Sequence, residues 1–219
     1  MTALTLLKRV FPAKRVLSLG YPDLPVAKPV LDRLFDISLK ETHPQNEEAR
    51  KRHNVAFDLP STEEFFEQIG SYWQCVDYKA LIGNEIVADL NEPCEFGEYD
   101  LVIDPGTLEH CFNVVTALKN AASAVIPGGH IFHCNPLSMV NHGFYMFSPT
   151  WYYDFYTHNN WTVLVQEVGN AKQGVKVNPV KRVQVLPELS NYVLAKRPVN
   201  SPLIRDDFPI QSKYKAMLA

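Results

Sequence analysis

Three short, almost unbroken apolar stretches each run into an aspartate, and this pattern constrains the chain most. Residues 73–76 lead to Asp77, residues 86–88 to Asp89 and residues 99–103 to Asp104. A fourth stretch of the same kind, 15–19, ends at Gly20. Strands that are apolar on both sides are covered on both faces, which is the condition of a parallel sheet between helices. In open α/β sheets, ligands bind outside the carboxyl ends of the strands. The three acids are therefore expected to converge on one edge of one sheet.

The intervening sequence supplies the helices. Leu31, Leu34 and Phe35 lie at helical spacing. Ser61 followed by Glu64 is a capping box that opens a short helix carrying Phe65, Phe66 and Ile69, with Gly70 as its stop. Residues 41–54 are densely charged and read as a solvated loop or short helix. A helix is expected over 110–125, with Val114, Leu118, Ala121 and Val125 near one face, and Pro127-Gly128-Gly129 turns the chain into a strand at 130–134. Ser148-Pro149 is a cap followed by proline at the first helical position. Two more strands are expected at 161–168 and 190–196, and the tail from 198 reads as irregular. The expected organisation is a single domain over 1–197, with residues 36–70 inserted as a cap or lid, and a tail over 198–219.

Composition narrows the function classes. With 219 residues and 46% hydrophobic side chains the chain has ample core material. A net charge of −3 gives no footing to a general nucleic-acid binder. The longest apolar runs, about six residues, fall far short of a membrane span. The start, MTALTLLKRVF, lacks the features of a signal peptide. The four cysteines form no C-x-x-C pair, which argues for reduced thiols and a cytoplasmic setting.

A carboxylate after the second strand of such a sheet can accept from a ribose diol. One after the third, at Asp89-Leu90, can accept from an adenine amine. Asp104-Pro105-Gly106 is turn chemistry beside the place where a reactive group would lie. In this setting the succession WQCVDY, IVADLNEP, YDLVIDPGTLEHC, VIPGGHIF and NHGFYMFSPTWYYDFYTHNNW resembles the class I S-adenosylmethionine-dependent methyltransferases. With the strand at 15–19, the resemblance covers about two-thirds of the chain. It implies a Rossmann-like three-layer sandwich whose mostly parallel seven-stranded sheet closes with an antiparallel C-terminal hairpin. It also implies S-adenosylmethionine as cofactor, held by Gly20 and Tyr21 on the methionine side, Asp77 and Tyr78 at the ribose, Asp89 and Leu90 at the adenine, and Asp104 and Gly106 near the reacting end. The loop departs from the family: Pro22 and Leu24 stand where further glycines are usual.

A hydroxyl acceptor needs a base, and histidine has the pKa for it. His43 and His53 lie in the charged stretch and are read as surface residues, His133 as a core residue and His158 as a helix-end cation. His110, after the fourth strand, and His142, after the fifth, remain as candidate catalytic residues. Tyr145, Tyr152, Tyr153 and Tyr156 are candidates for an acceptor pocket or for core. Asp104-Pro105-Gly106-Thr107 lacks the second proline and aromatic of nucleic-acid amino-methyltransferases, and Asp104 with the nearby acids makes no recognisable octahedral set, so no metal is expected. The expected activity is methyl transfer to oxygen of a small-molecule or glycan acceptor. The rival expectation is a catalytically inactive binding or scaffold protein of the same fold, with GYPDLP as its support. A dehydrogenase fits less well, because no G-x-G-x-x-G follows the first strand.

Overall fold

The computed structural model describes residues 2–80, 82–179, 181, 184, 186–200 and 204–215. Its elements in chain order are α1 (Thr2–Leu7), β1 (Arg15–Leu19), α2 (Lys28–Phe35), α3 (Asn46–His53), α4 (Thr62–Gln68), β2 (Tyr72–Asp77), β3 (Glu85–Val87) and β4 (Tyr99–Asp104). A 3-10 turn at Leu108–His110 leads to α5 (Val114–Ser123), β5 (Val125–Pro136), α6 (Pro149–His158), β6 (Thr162–Gly169), β7 (Gly174–Lys176), β8 (Ser190–Lys196) and α7 (Ser212–Lys215).

The strands form one 8-stranded sheet in the order β3-β2-β1-β4-β5-β8-β6-β7. The pairs among β3, β2, β1, β4 and β5 are parallel, whereas β8 runs antiparallel to both β5 and β6. The architecture is the expected sandwich with one strand more than the seven expected. The extra strand is β7, a three-residue edge folded back on β6. Its turn is shaped by Asn170, whose side-chain oxygen accepts from the N–H groups of Lys172 and Gln173 at 2.9 and 3.2 Å.

Strand alternation divides the core between two faces. Leu17, Leu19, Val76 and Val102 point to one side, with Leu118 and Ala121 of α5 and Tyr152 and Tyr156 of α6. Val16, Cys75, Leu101 and Ile103 point to the other, with Leu31 of α2 and Phe65 and Phe66 of α4. Each fully buried leucine here contributes roughly 1.5–3 kcal/mol of transfer free energy. The chain between β1 and β2 is therefore only partly an excursion. Helix α4 is built into the second layer, capped by the Ser61 hydroxyl accepting from the Glu64 N–H at 3.1 Å. The part that contributes nothing to the two core clusters is 40–60, with α3 and the bridge between Thr42 and Pro60, whereas Leu39 still packs in the second layer.

The described part of the tail, 204–215, lies along the helices. Arg205 N–H donates to Asn159 Oδ1 at 2.8 Å, and Ser212 N–H to Asp154 Oδ2 at 2.8 Å. The remaining tail positions of the expected 198–219 segment, 201–203 and 216–219, lie outside the described residues. Among the described residues, no helix is long and apolar enough to cross a membrane.

Candidate active site

The strand order reverses at β1. The chain builds β2 and β3 on one side of it and then β4 and β5 on the other, and the carboxyl ends of β1 and β4 at such a reversal are where open α/β sheets take ligands. Pairing in register brings Leu19 opposite Val76 and Asp77 opposite Val87, so Gly20, Asp77 and Asp89 share this edge. Gly20 has φ +72°, a left-handed conformation that suits glycine, and its N–H donates to the Val76 carbonyl at 2.7 Å. A Cβ there would meet Thr107 Oγ1 at 3.0 Å, and that hydroxyl donates to the Leu19 carbonyl at 2.5 Å.

The loop after Gly20 is tied to the segment before β2. Tyr21 donates its hydroxyl to Glu63 Oε2 at 2.8 Å and accepts from the Thr62 N–H at 3.3 Å. Burial pushes that hydroxyl's pKa up. Asp23 lies 2.9 Å from His43 Nε2, 2.7 Å from His53 Nε2 and 3.4 Å from the Arg52 guanidinium. Burial alone would raise the Asp23 carboxyl. Its bond to His53 and the charges of Arg52 and His43 outweigh burial and hold it below its ordinary value. His43 is thus not a surface residue: at 5% exposure it is packed under Tyr21, drawn in by an acid twenty positions away in sequence. His53 is half-buried for the same reason.

The other expected cofactor contacts differ in exposure. Asp77 is half-buried, and among the described residues its carboxylate accepts only from the Lys79 N–H at 3.4 Å. Tyr78 is 70% exposed. Asp89 is exposed and uses one oxygen, Oδ1, to hold the Asn91 backbone and side-chain N–H groups at 2.9 and 2.7 Å. Leu90 is buried, with its carbonyl accepting from Asn120 Nδ2 at 3.2 Å. Gly106, at φ +112°, turns the chain after β4.

Asp104 is a correction to the sequence reading. Its side chain is fully buried, and both oxygens are taken by protein donors. Oδ1 accepts from the N–H groups of Thr107 and Leu108 at 2.9 and 3.3 Å. Oδ2 is 2.8 Å from His133 Nδ1 and 2.8 Å from Asn135 Nδ2. The strand β5 directly beside it supplies both partners, so the carboxylate shapes the turn from within. His133 continues to the Tyr156 hydroxyl at 2.5 Å, and Asn135 Oδ1 accepts from Tyr152 at 2.5 Å. Tyr152 and Tyr156 are thus core, with Tyr152 stacked on His133 at 4.5 Å.

Glu109 is the site residue that the sequence reading passed over. It lies in the 3-10 turn and is fully buried. Asn135 Nδ2 donates to its Oε2 at 2.9 Å, while its Oε1 receives no hydrogen bond among the described residues. Burial, and secondarily the charge of Asp104, push its carboxyl up to about 7. Oε1 faces His142 Nε2 at 3.6 Å. His110 and His142 are both exposed, with ring centroids 5.5 Å apart. Burial, and then the neighbouring His142, lower the pKa of His110. The two sequence-selected histidines therefore do come together, with Glu109 between their loops. Phe112 and Phe144, 72% and 65% exposed and in edge contact at 5.4 Å, flank them. A separate cavity of about 350 Å³, lined by Leu118, Trp151, Phe155 and Phe208, shares none of these residues.

No family model matches this chain, and no curated protein does. Solved structures do. The first, TehB from Haemophilus influenzae, has a TM-score of 0.52 at 13% identity over 90% of this chain. This chain covers only 61% of TehB's own length. A 1,6-didemethyltoxoflavin-N1-methyltransferase from Burkholderia thailandensis, solved with S-adenosylhomocysteine, is 15% identical, with a TM-score of 0.49 and coverage of 90% of this chain and 75% of that one. The N-methyltransferase NodS from Bradyrhizobium japonicum WM9 is 14% identical, with a TM-score of 0.47 and coverage of 90% and 94%. The strand order, the antiparallel β8 and the match to TehB together give this chain a Rossmann-like fold, a mostly parallel sheet that closes with an antiparallel C-terminal part.

Proposed function

We propose that this chain is an S-adenosylmethionine-dependent methyltransferase acting on oxygen of a small-molecule or glycan acceptor. The observation that carries the reading is the strand reversal at β1, where Gly20, Asp77 and Asp89 share one edge of the sheet. A left-handed Gly20 leaves backbone open to the amino-acid end of the ligand. Asp77, with little internal use of its carboxylate, accepts from the ribose hydroxyls. Asp89 keeps one oxygen for the adenine amine, beside Leu90. Tyr78 offers an exposed ring next to Asp77, and Gly106 keeps the β4 turn low. Tyr21 and Asp104 act at one remove, Tyr21 by fastening the first loop to α4 and Asp104 by fixing the turn that carries Glu109 and His110.

When bound, the cofactor supplies a methyl group on a sulfonium leaving group. The chain's task is to align an acceptor oxygen, exclude water and receive the acceptor's proton. Gly20, Asp77 and Asp89 would hold the cofactor so that its methyl group faces the acceptor oxygen, and its sulfur would keep the electron pair of the bond given up. The hydroxyl proton leaves toward the cluster of Glu109, His110 and His142.

A scaffold role is the second reading. It draws on the first loop, where Thr62 Oγ1 donates to the Pro22 carbonyl at 2.9 Å and Asp23 is held by two histidines. Calorimetric titration with S-adenosylhomocysteine, with NADH as control, separates the two. Micromolar binding that is lost in Asp77→Ala supports the methyltransferase. An intact protein that binds neither ligand overturns it in favour of the scaffold.

A further inference from the structure

We propose that Glu109, His110 and His142 form a binding site for one divalent transition-metal ion, with Zn2+ as the fitting probe. Their three ligand atoms all lie within 4.8 Å of one another. Zinc bonds of about 2.0–2.1 Å in a tetrahedron place donors about 3.4 Å apart, so side-chain rotations of about an ångström close the set. Two imidazole nitrogens and one carboxylate oxygen suit zinc and its first-row neighbours better than magnesium or calcium, which take mostly oxygen.

The second, independent observation is the Glu109 side chain itself. It is fully buried, yet Oε1 has no hydrogen-bond partner among the described residues and is aimed at His142. A buried carboxylate oxygen without a donor is costly, and a cation at this point removes that cost. The other oxygen is held by Asn135, which is fixed in turn by Asp104 and Tyr152. This is the outer support that orients a ligating carboxylate. Two glycines let the parts approach. A Cβ at Gly106 would stand 3.2 Å from Glu109 Oε1, and one at Gly143 would stand 2.7 Å from the Glu109 carbonyl oxygen.

Among the described residues three protein ligands converge, and two of them are exposed, so a fourth position opens outward. That is the layout of a catalytic rather than a structural site. The cation's role in catalysis rests on the methyltransferase reading and would replace the three residues' own part in it: as metal ligands they would not take the acceptor proton, and the cation would instead acidify a hydroxyl in the open position, whose proton would pass to water. The site itself does not depend on that reading.

The test is calorimetric titration of chelator-treated protein with Zn2+, together with Co2+ absorption as a report on coordination. One equivalent of Zn2+ is expected at micromolar affinity or better, weakened at least about tenfold in Glu109→Gln and in His142→Ala. His142 is exposed, so its variant keeps the test sound if Glu109→Gln fails to fold. Equal Zn2+ binding by wild type and both variants overturns the proposal, as does no binding by wild type. S-adenosylhomocysteine binding is measured on the same samples. Zinc binding without it leaves the metal site standing and removes the methyltransferase reading, and the converse result does the reverse.

Discussion

Gly143 rests directly on the backbone of Glu109. A Cβ at position 143 would lie 2.7 Å from the Glu109 carbonyl oxygen and 2.9 Å from its Cγ, while Phe144 N–H donates to the same carbonyl at 2.8 Å. The loop after β5 is thereby docked on the turn after β4, and His142 is carried to Glu109. Gly143→Ala is expected to push the two loops apart, since two of the three nearest opposing atoms are backbone and cannot rotate away. A loss of about 1–3 kcal/mol is expected in denaturant unfolding, with a larger proportional loss of Zn2+ affinity than of S-adenosylhomocysteine affinity.

The buried chain from Asp104 through His133 to Tyr156 makes a second prediction. Tyr156→Phe removes one hydroxyl from a 2.5 Å contact and is expected to cost about 1 kcal/mol. His133→Leu removes a donor from a fully buried carboxylate and is expected to cost about 3–5 kcal/mol. Urea unfolding of the two variants measures this. Equal costs would show that the carboxylate is satisfied without His133.

Glu64 gives a pH prediction. Its carboxylate accepts from the N–H groups of Lys40 and Glu41 and from Gln68 Nε2, at 2.7–2.9 Å, and so pins the excursion to α4. Burial would raise its pKa, but these donors outweigh burial and hold it below the ordinary carboxylate value. A carboxyl lowered by folding stabilises the native state above its unfolded pKa, and that contribution fades as pH falls toward the folded one. Glu64→Gln is therefore expected to lower stability by about 1–2 kcal/mol at pH 7. The gap to wild type is expected to narrow below about pH 4.5, measured by thermal unfolding across pH.

What the sequence made legible follows from how local each signal is. The strand at 190–196 and the helix start at Ser148-Pro149 are written in neighbouring residues, and the structure has both. The three strand-end acids were legible as a set, but Asp104 was not separable from the other two. Its burial depends on His133 and Asn135, about thirty positions later on the neighbouring strand. His43 looked solvated because its own surroundings are charged, whereas Asp23 and Tyr21 bring it inside. Glu109 was passed over because an adjacent helical residue points away from His110. The turn instead brings its carboxylate within 4.8 Å of ring nitrogens of both His110 and His142. The edge strand β7 is three residues long and depends on the Asn170 turn, too little for periodicity to register.

Gly20 joins the proposed cofactor edge to the turn after β4, and its two constraints are separable. Its φ of +72° costs an L-residue about 1–2 kcal/mol, and a Cβ there would also press on Thr107 Oγ1 at 3.0 Å. Gly20→Ala meets both penalties. Gly20→Asn meets the steric one but tolerates the left-handed backbone. If conformation dominates, Asn recovers most of the stability and of the S-adenosylhomocysteine affinity that Ala loses. If the Thr107 contact dominates, both variants lose alike, and Thr107→Ala in the Gly20→Ala background restores them. The Thr107 hydroxyl bonds the Leu19 carbonyl, so displacing it moves the first loop and the β4 turn together. We expect the steric contact to dominate ligand affinity and the backbone conformation to dominate stability, because only the contact reaches across to the turn after β4.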